Sequence, residues 1–71
     1  MHLQEAEDQL LWVAEAVRAA CLAAAQESYE EASMRGLCHE GAWECAMGVV
    51  RTLDVRSLLT QFRQAEEGDP A

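Results

Sequence analysis

Apolar positions recur at helical spacing through most of this chain, with one clear interruption. Residues 3–35 contain no Gly and no Pro, which predicts one unbroken helix from Leu3 to Arg35. Along this helix runs an apolar stripe with alternating spacings of four and three, the leucine–alanine stripe: Leu10, Ala14, Val17, Cys21, Ala24 and Ser28. Because most of its side chains are small, the stripe predicts a coiled-coil-like contact with a closely approaching helix.

The interruption is a helix-stop signal followed at once by a helix-start signal. Gly36 can adopt the left-handed conformation that ends many helices, and Leu37 follows where a Schellman motif places its hydrophobic contact. A second helix is predicted from about His39 to Leu53. Its two glycines, Gly41 and Gly48, are seven residues apart and share a face, so we expect another helix backbone to approach closely there.

A third segment begins after Asp54, which is a favourable N-cap residue. The apolar residues that follow predict a helix from Val55 to about Glu66, and the polar residues 67–71 predict a frayed tail. The fold class is therefore all-α. Residues 1–66 form a single helical domain in this prediction, a long helix with shorter return helices in a helical hairpin.

A hairpin of this length has more apolar surface than it can cover. A helix of about 33 residues is roughly 50 Å long, and the second helix covers about half of that length. A second row of apolar residues containing Trp12 lies beside the leucine–alanine stripe. We therefore expect two copies to pack as a homodimeric helical bundle. The predicted interface residues are Leu10, Ala14, Val17, Cys21, Ala24 and Trp12.

The charge of the chain limits its partners. Thirteen acidic residues stand against five Arg and no Lys, for a formal net charge of −8. Direct nucleic-acid binding and adhesion to anionic membranes both depend on basic residues, so both are disfavoured. No apolar run approaches the roughly 20 residues of a membrane span. Glu5, Glu7 and Asp8 stand where a secretory signal would be basic, so we predict a soluble, cytoplasmic protein.

Candidate chemistry is confined to Cys38, His39 and Cys45. A thiolate–imidazole metal site would need about four ligands, and the third cysteine, Cys21, lies about 22 Å up the first helix from Gly36. A nucleophilic Cys38 would have a favourable position before a helix, but no Ser or Asp stands at an evident triad spacing. We therefore predict small buried thiols, no metal, no cofactor and no catalytic residue.

The middle of the chain resembles a group of short, uncharacterised proteobacterial helical proteins. The resemblance is carried by residues 29–32, Tyr-Glu-Glu-Ala, and by residues 36–44, Gly-Leu-Cys-His-Glu-Gly-Ala-Trp-Glu. Some members of that group are labelled acetyltransferase, which implies use of acetyl-CoA. An acetyltransferase needs a pyrophosphate cradle and a binding cleft. The sequence indicates neither, so the activity is disfavoured.

Two functional interpretations of different classes remain. The first is a small oligomerisation or protein-interaction module whose dimer presents a groove or an acidic face to another protein. The alternative is an acidic inhibitor that mimics nucleic acid and binds a basic protein, which the charge of −8 suggests. Salt distinguishes the two, because a mimic loses its target steeply as ionic strength rises.

Overall fold

The chain folds into three helices, as the apolar spacing predicts. The computed structural model describes residues 2–67, and the side chains of residues 3–64 within them. In chain order the helices are α1 (His2–Met34), α2 (His39–Arg51) and α3 (Val55–Glu67). The long helix packs against the two shorter ones, and the all-α prediction is confirmed. Of the predicted tail, Glu67 ends α3 and residues 68–71 lie outside the described part.

The end of α1 is the Schellman motif that the sequence predicts. Gly36 has a φ of +96°, a left-handed conformation that glycine adopts without steric cost. The N–H of Leu37 donates to the carbonyl of Ala32, and the N–H of Gly36 donates to the carbonyl of Ser33, both at 3.0 Å. These two bonds satisfy carbonyls that would otherwise lack partners at the helix end.

The second helix ends two residues earlier than Leu53, where the sequence predicted its end. Thr52 is its C-cap, and both the N–H and the Oγ1 hydroxyl of Thr52 donate to the carbonyl of Gly48, at 3.1 and 3.0 Å. The N–H of Leu53 turns back to Val50 at 3.3 Å. Side-chain bonding of this kind competes with the helical ladder, and the helical spacing of apolar residues does not reveal it.

Asp54 caps α3 as predicted. Its Oδ1 accepts a hydrogen bond from the N–H of Ser57 at 3.1 Å, and its Oδ2 accepts one from the Ser57 hydroxyl at 2.8 Å. The bond from the Ser57 hydroxyl, followed by that from its N–H, lowers the pKa of Asp54 below its ordinary value. The cap thus favours the ionised carboxylate.

Contacts within the chain divide it into two units. Unit 1 comprises Met1–Val17 and Asp54–Ala71. In this unit the rings of Trp12 and Phe62 meet edge to face, with centroids 5.8 Å apart and planes at 79°. Such a geometry is favourable between aromatic rings, and it joins α1 to α3.

Unit 2 comprises Arg18–Leu53 and holds α2 and the C-terminal half of α1. Among the side chains of residues 3–64, only those of Ala32, Ala42 and Ala46 are buried. All three belong to this unit. No large side chain is fully buried within the described part of the chain. Because alanine offers little apolar area, the buried interior is thin.

The glycines of α2 face open space or the preceding turn, as far as the described residues show. A Cβ placed on Gly48 would meet nothing within 4 Å, and one placed on Gly41 would meet only the side chain of Leu37, at 3.4 Å or more. The expected close approach of a second backbone is therefore not found within residues 2–67. Small residues on a shared face permit such an approach, but they do not require it.

Candidate functional site: a groove between α1 and α2

An apolar groove lies between α1 and α2, within unit 2. Its volume is about 760 Å³. The side chains that line it come from both helices: Leu22, Ala25, Gln26, Tyr29 and Glu30 from α1, and His39, Trp43, Ala46 and Met47 from α2. Leu22 and Trp43 are 63% and 53% exposed, so the groove is open to solvent and no large side chain of this chain fills it.

Helical spacing explains why these residues meet. Leu22 and Tyr29 are seven residues apart and stand on one face of α1, while His39, Trp43 and Met47 follow each other at intervals of four on α2. The buried Ala46 lies at the base of the groove side of α2. Its small side chain lets the two helices come close, and the larger residues then stand on either side of the contact line.

Tyr29 and His39 connect the two walls. The Oη of Tyr29 and the Nδ1 of His39 are 2.6 Å apart and share a hydrogen bond. Their rings meet edge to face, with centroids 5.7 Å apart and planes at 69°. Both side chains line the groove, so the pair provides a polar group in a mostly apolar surface.

A second, smaller cavity adjoins the groove at Trp43. Its volume is about 490 Å³, and its lining residues are Cys38, Glu40, Gly41, Trp43 and Glu44. Trp43 lines both cavities. With Glu30 on the groove side, three carboxylates border the two cavities and none of the lining residues is Arg. The combined surface therefore favours an apolar group next to a cation and disfavours an anion.

The structure places the predicted interface residues in two environments. Leu10, Trp12 and Ala14 are exposed, whereas the chain itself half-buries Val17, Cys21 and Ala24. Of the six residues of the leucine–alanine stripe, Leu10 and Ala14 are exposed and the other four are half-buried. The interface itself remains a prediction.

The prediction of small buried thiols is wrong for Cys38, because this side chain at the start of α2 is exposed, and Cys21 and Cys45 are only half-buried. Cys38 is exposed, forms the N-cap of α2 and lines the smaller cavity, while Cys45 is half-buried and lines neither cavity. His39 bonds to Tyr29 rather than to a thiol. Within residues 2–67 no group of three or more His, Cys, Asp and Glu side chains is placed to hold a metal ion.

The sequence did not predict the groove. Apolar spacing alone does not distinguish Leu22 and Met47 from other apolar residues of their helices, and the pairing of Tyr29 with His39 depends on the geometry of the turn between them. The groove does supply a cleft, which the acetyltransferase interpretation requires. However, Glu30 borders it and no Arg lines it, the opposite of what a pyrophosphate group needs.

Comparisons of this chain with models of protein families, with curated proteins and with solved structures give no match. Within the described residues, none of the helices is long and apolar enough to cross a membrane.

Proposed function

We propose that this chain is a small helical interaction module that forms a homodimer. One observation carries the proposal: within the described residues only alanines are buried, whereas the large apolar side chains of α1 stand in solvent. Soluble monomers rarely leave contiguous apolar surfaces of this kind uncovered. Association with a second copy would cover them.

The proposed contact is the N-terminal apolar surface of unit 1. We define it by four exposed side chains of α1: Leu3, Leu10, Leu11 and Ala14. Trp12, two residues beyond Leu10, lies on the other side of the helix, where its ring meets Phe62. Leu3, Leu10 and Ala14 follow each other at intervals of seven and four, the spacing of a coiled-coil contact. Leu3 and Leu10 are 80% and 71% exposed. Fully burying one leucine stabilises by about 1.5–3 kcal/mol, and a two-fold axis buries each residue twice.

Charge allows a second copy at this surface. Glu5, Glu7 and Asp8 lie on α1 between the leucines, and the same unit presents the exposed Arg56 and Arg63 on α3. Each chain nevertheless carries a net charge of −8, so the copies repel one another at long range. Salt screens this repulsion, and we expect the dimer to strengthen as ionic strength rises.

Solution mass tests the proposal. Light scattering across a dilution series from the high micromolar range should give the mass of two chains, decreasing to 7.8 kDa on dilution. Leu10→Ser should shift this transition to higher concentration without loss of helicity, since Leu10 is already exposed in the single chain. Met34→Ser is the matched control, because Met34 is 80% exposed but lies outside the N-terminal apolar surface. A fully helical chain that keeps the mass of one copy at every concentration would contradict the proposal.

A further inference from the structure

The walls of the groove in unit 2 are as long as a helical segment of two turns. From Leu22 to Glu30 on α1, and from His39 to Met47 on α2, each wall extends over two helical turns, about 12 Å at about 1.5 Å per residue. Open grooves between two helices accept amphipathic helices, which insert apolar side chains at positions i, i+3 or i+4, and i+7. Two turns of wall match three such anchors.

The groove walls provide the apolar contacts. Leu22 and Trp43 are exposed on opposite walls of the groove. Met47 lies one helical turn after Trp43 and is half-buried, and the small side chains of Ala25 and Ala46 leave space between the walls. Large apolar residues around small ones create a concave surface that an inserted aliphatic side chain can fill. Methionine adapts its shape to such an insertion.

The border of the groove determines the charge of its occupant. Glu30 lies in the groove, and Glu40 and Glu44 lie across Trp43 in the adjoining cavity. All three are exposed. The exposed ring of Trp43 between them can also receive a cation on its face. Lys or Arg side chains that flank the apolar anchors would therefore meet complementary groups on this border.

From this combination we propose that the groove binds an amphipathic helix of a partner protein, with aliphatic anchors on one face and Lys or Arg beside them. A second copy of this chain fits less well. Its five Arg stand against thirteen acidic residues, for a charge of −8, and it would bring more carboxylates than guanidinium groups towards Glu30, Glu40 and Glu44. The groove lies in unit 2 and the N-terminal apolar surface in unit 1. An experiment can therefore disprove peptide binding in the groove without disproving the dimer, and the reverse.

The probe is a synthetic, fluorescein-labelled peptide of four helical turns with Leu along one face and Lys elsewhere, titrated with the full chain. Two control peptides accompany it: one of the same composition with the Leu residues scattered around the helix, and one with Glu in place of Lys. We expect saturable binding of the first peptide, at least about tenfold weaker binding of both controls, and weaker binding as salt is raised. Salt thus acts oppositely on the groove and on the proposed dimer.

Leu22→Glu separates docking from mere charge attraction. The substitution adds a carboxylate, so non-specific attraction to a basic peptide would strengthen, whereas insertion into the groove would weaken by about tenfold or more. Leu22 is exposed, and circular dichroism checks that the variant keeps its helices. Trp43→Ala, on the opposite wall, should weaken binding as well, while Met34→Ser should leave it unchanged.

A pair of neutralised carboxylates tests the border. Glu30→Gln should weaken binding several-fold, and Glu27→Gln, an exposed residue of α1 that lines neither cavity, should not. Equal binding of the ordered and scattered peptides, or equal effects of the two Glu substitutions, would overturn the proposal. Dissociation of the dimer by Leu22→Glu would show instead that the groove is occupied by a second copy.

Discussion

The hydroxyl of Tyr29 and the Nδ1 of His39 lie 2.6 Å apart, in a hydrogen bond that joins α1 to the first residue of α2. The bond closes over ten residues that include the left-handed turn at Gly36. Together with the turn at Gly36, it holds α2 against α1 at the wall of the groove that contains Trp43.

Tyr29→Phe removes this hydrogen bond and keeps the edge-to-face ring contact. We expect a loss of about 0.5–1 kcal/mol in the free energy of unfolding, the lower part of the usual range, since the bond is exposed. Urea denaturation followed by circular dichroism measures the loss. In a His39→Ala background, Tyr29→Phe should have almost no further effect. An equal loss in both backgrounds would mean that the two residues do not interact.

Two glycines should respond to alanine in opposite directions. Gly36→Ala places a Cβ on a left-handed residue and should destabilise the chain by about 1–2 kcal/mol. Gly48→Ala fills open space on a helix and should stabilise it by about 0.5–1 kcal/mol. Urea midpoints measure both effects at one fixed protein concentration. A destabilising Gly48→Ala would indicate that another chain packs against this face of α2.

The Asp54 cap predicts a specific dependence on pH. Its pKa is lower in the folded chain than the ordinary value of 3.8, chiefly because the Ser57 hydroxyl donates to the carboxylate. The cap therefore contributes its full stability above pH 3.8 and loses it as the pH falls through the lower, folded pKa.

Asp54→Asn isolates this contribution, since asparagine also caps helices but does not titrate in this range. We expect the difference in Tm between the wild type and Asp54→Asn to stay constant above pH 5, and to move in favour of Asp54→Asn below about pH 3.8. Asp54→Ala should lower Tm at neutral pH, with loss of helical signal from α3. A difference between wild type and Asp54→Asn that does not vary with pH would contradict the cap described above.

The contact between Trp12 and Phe62 should stabilise the docking of α3. Phe62→Leu keeps an apolar side chain but removes the ring, and should cost about 1 kcal/mol. The emission of Trp12 reports the change directly when Trp43→Phe removes the only other tryptophan. If neither the emission nor the unfolding midpoint responds to Phe62→Leu, the rings do not contribute to the packing of unit 1.

The helices could be predicted from the sequence because their ends carry local signals. Gly36 stops α1 and Asp54 starts α3 through atoms that lie within four residues of each end. The end of α2 lies two residues before Leu53, at Arg51, and the bonds from Thr52 to Gly48 that cap it have no counterpart in the apolar spacing.

The groove could not be predicted by the same means. It depends on which residues of α1 face which residues of α2, and the turn geometry sets that register. The leucine–alanine stripe illustrates the limit. Its spacing is continuous, yet Leu10 is exposed while Cys21 and Ala24 are half-buried by the chain itself. A periodic pattern identifies the apolar face of a helix, but it does not show how much of that face other helices of the chain bury.

Because the buried residues are Ala32, Ala42 and Ala46, the substitutions that destabilise this interior differ from those that destabilise most small proteins. Most domains are weakened when a bulky interior residue is trimmed and a hole remains. Within residues 3–64 only these alanines are buried, so enlargement is the harmful change: we expect a valine at these sites to overpack the contact and to cost about 1–3 kcal/mol. We therefore expect these three sites to accept no side chain much larger than about one methyl group. A designer who wishes to widen the groove would substitute these residues first.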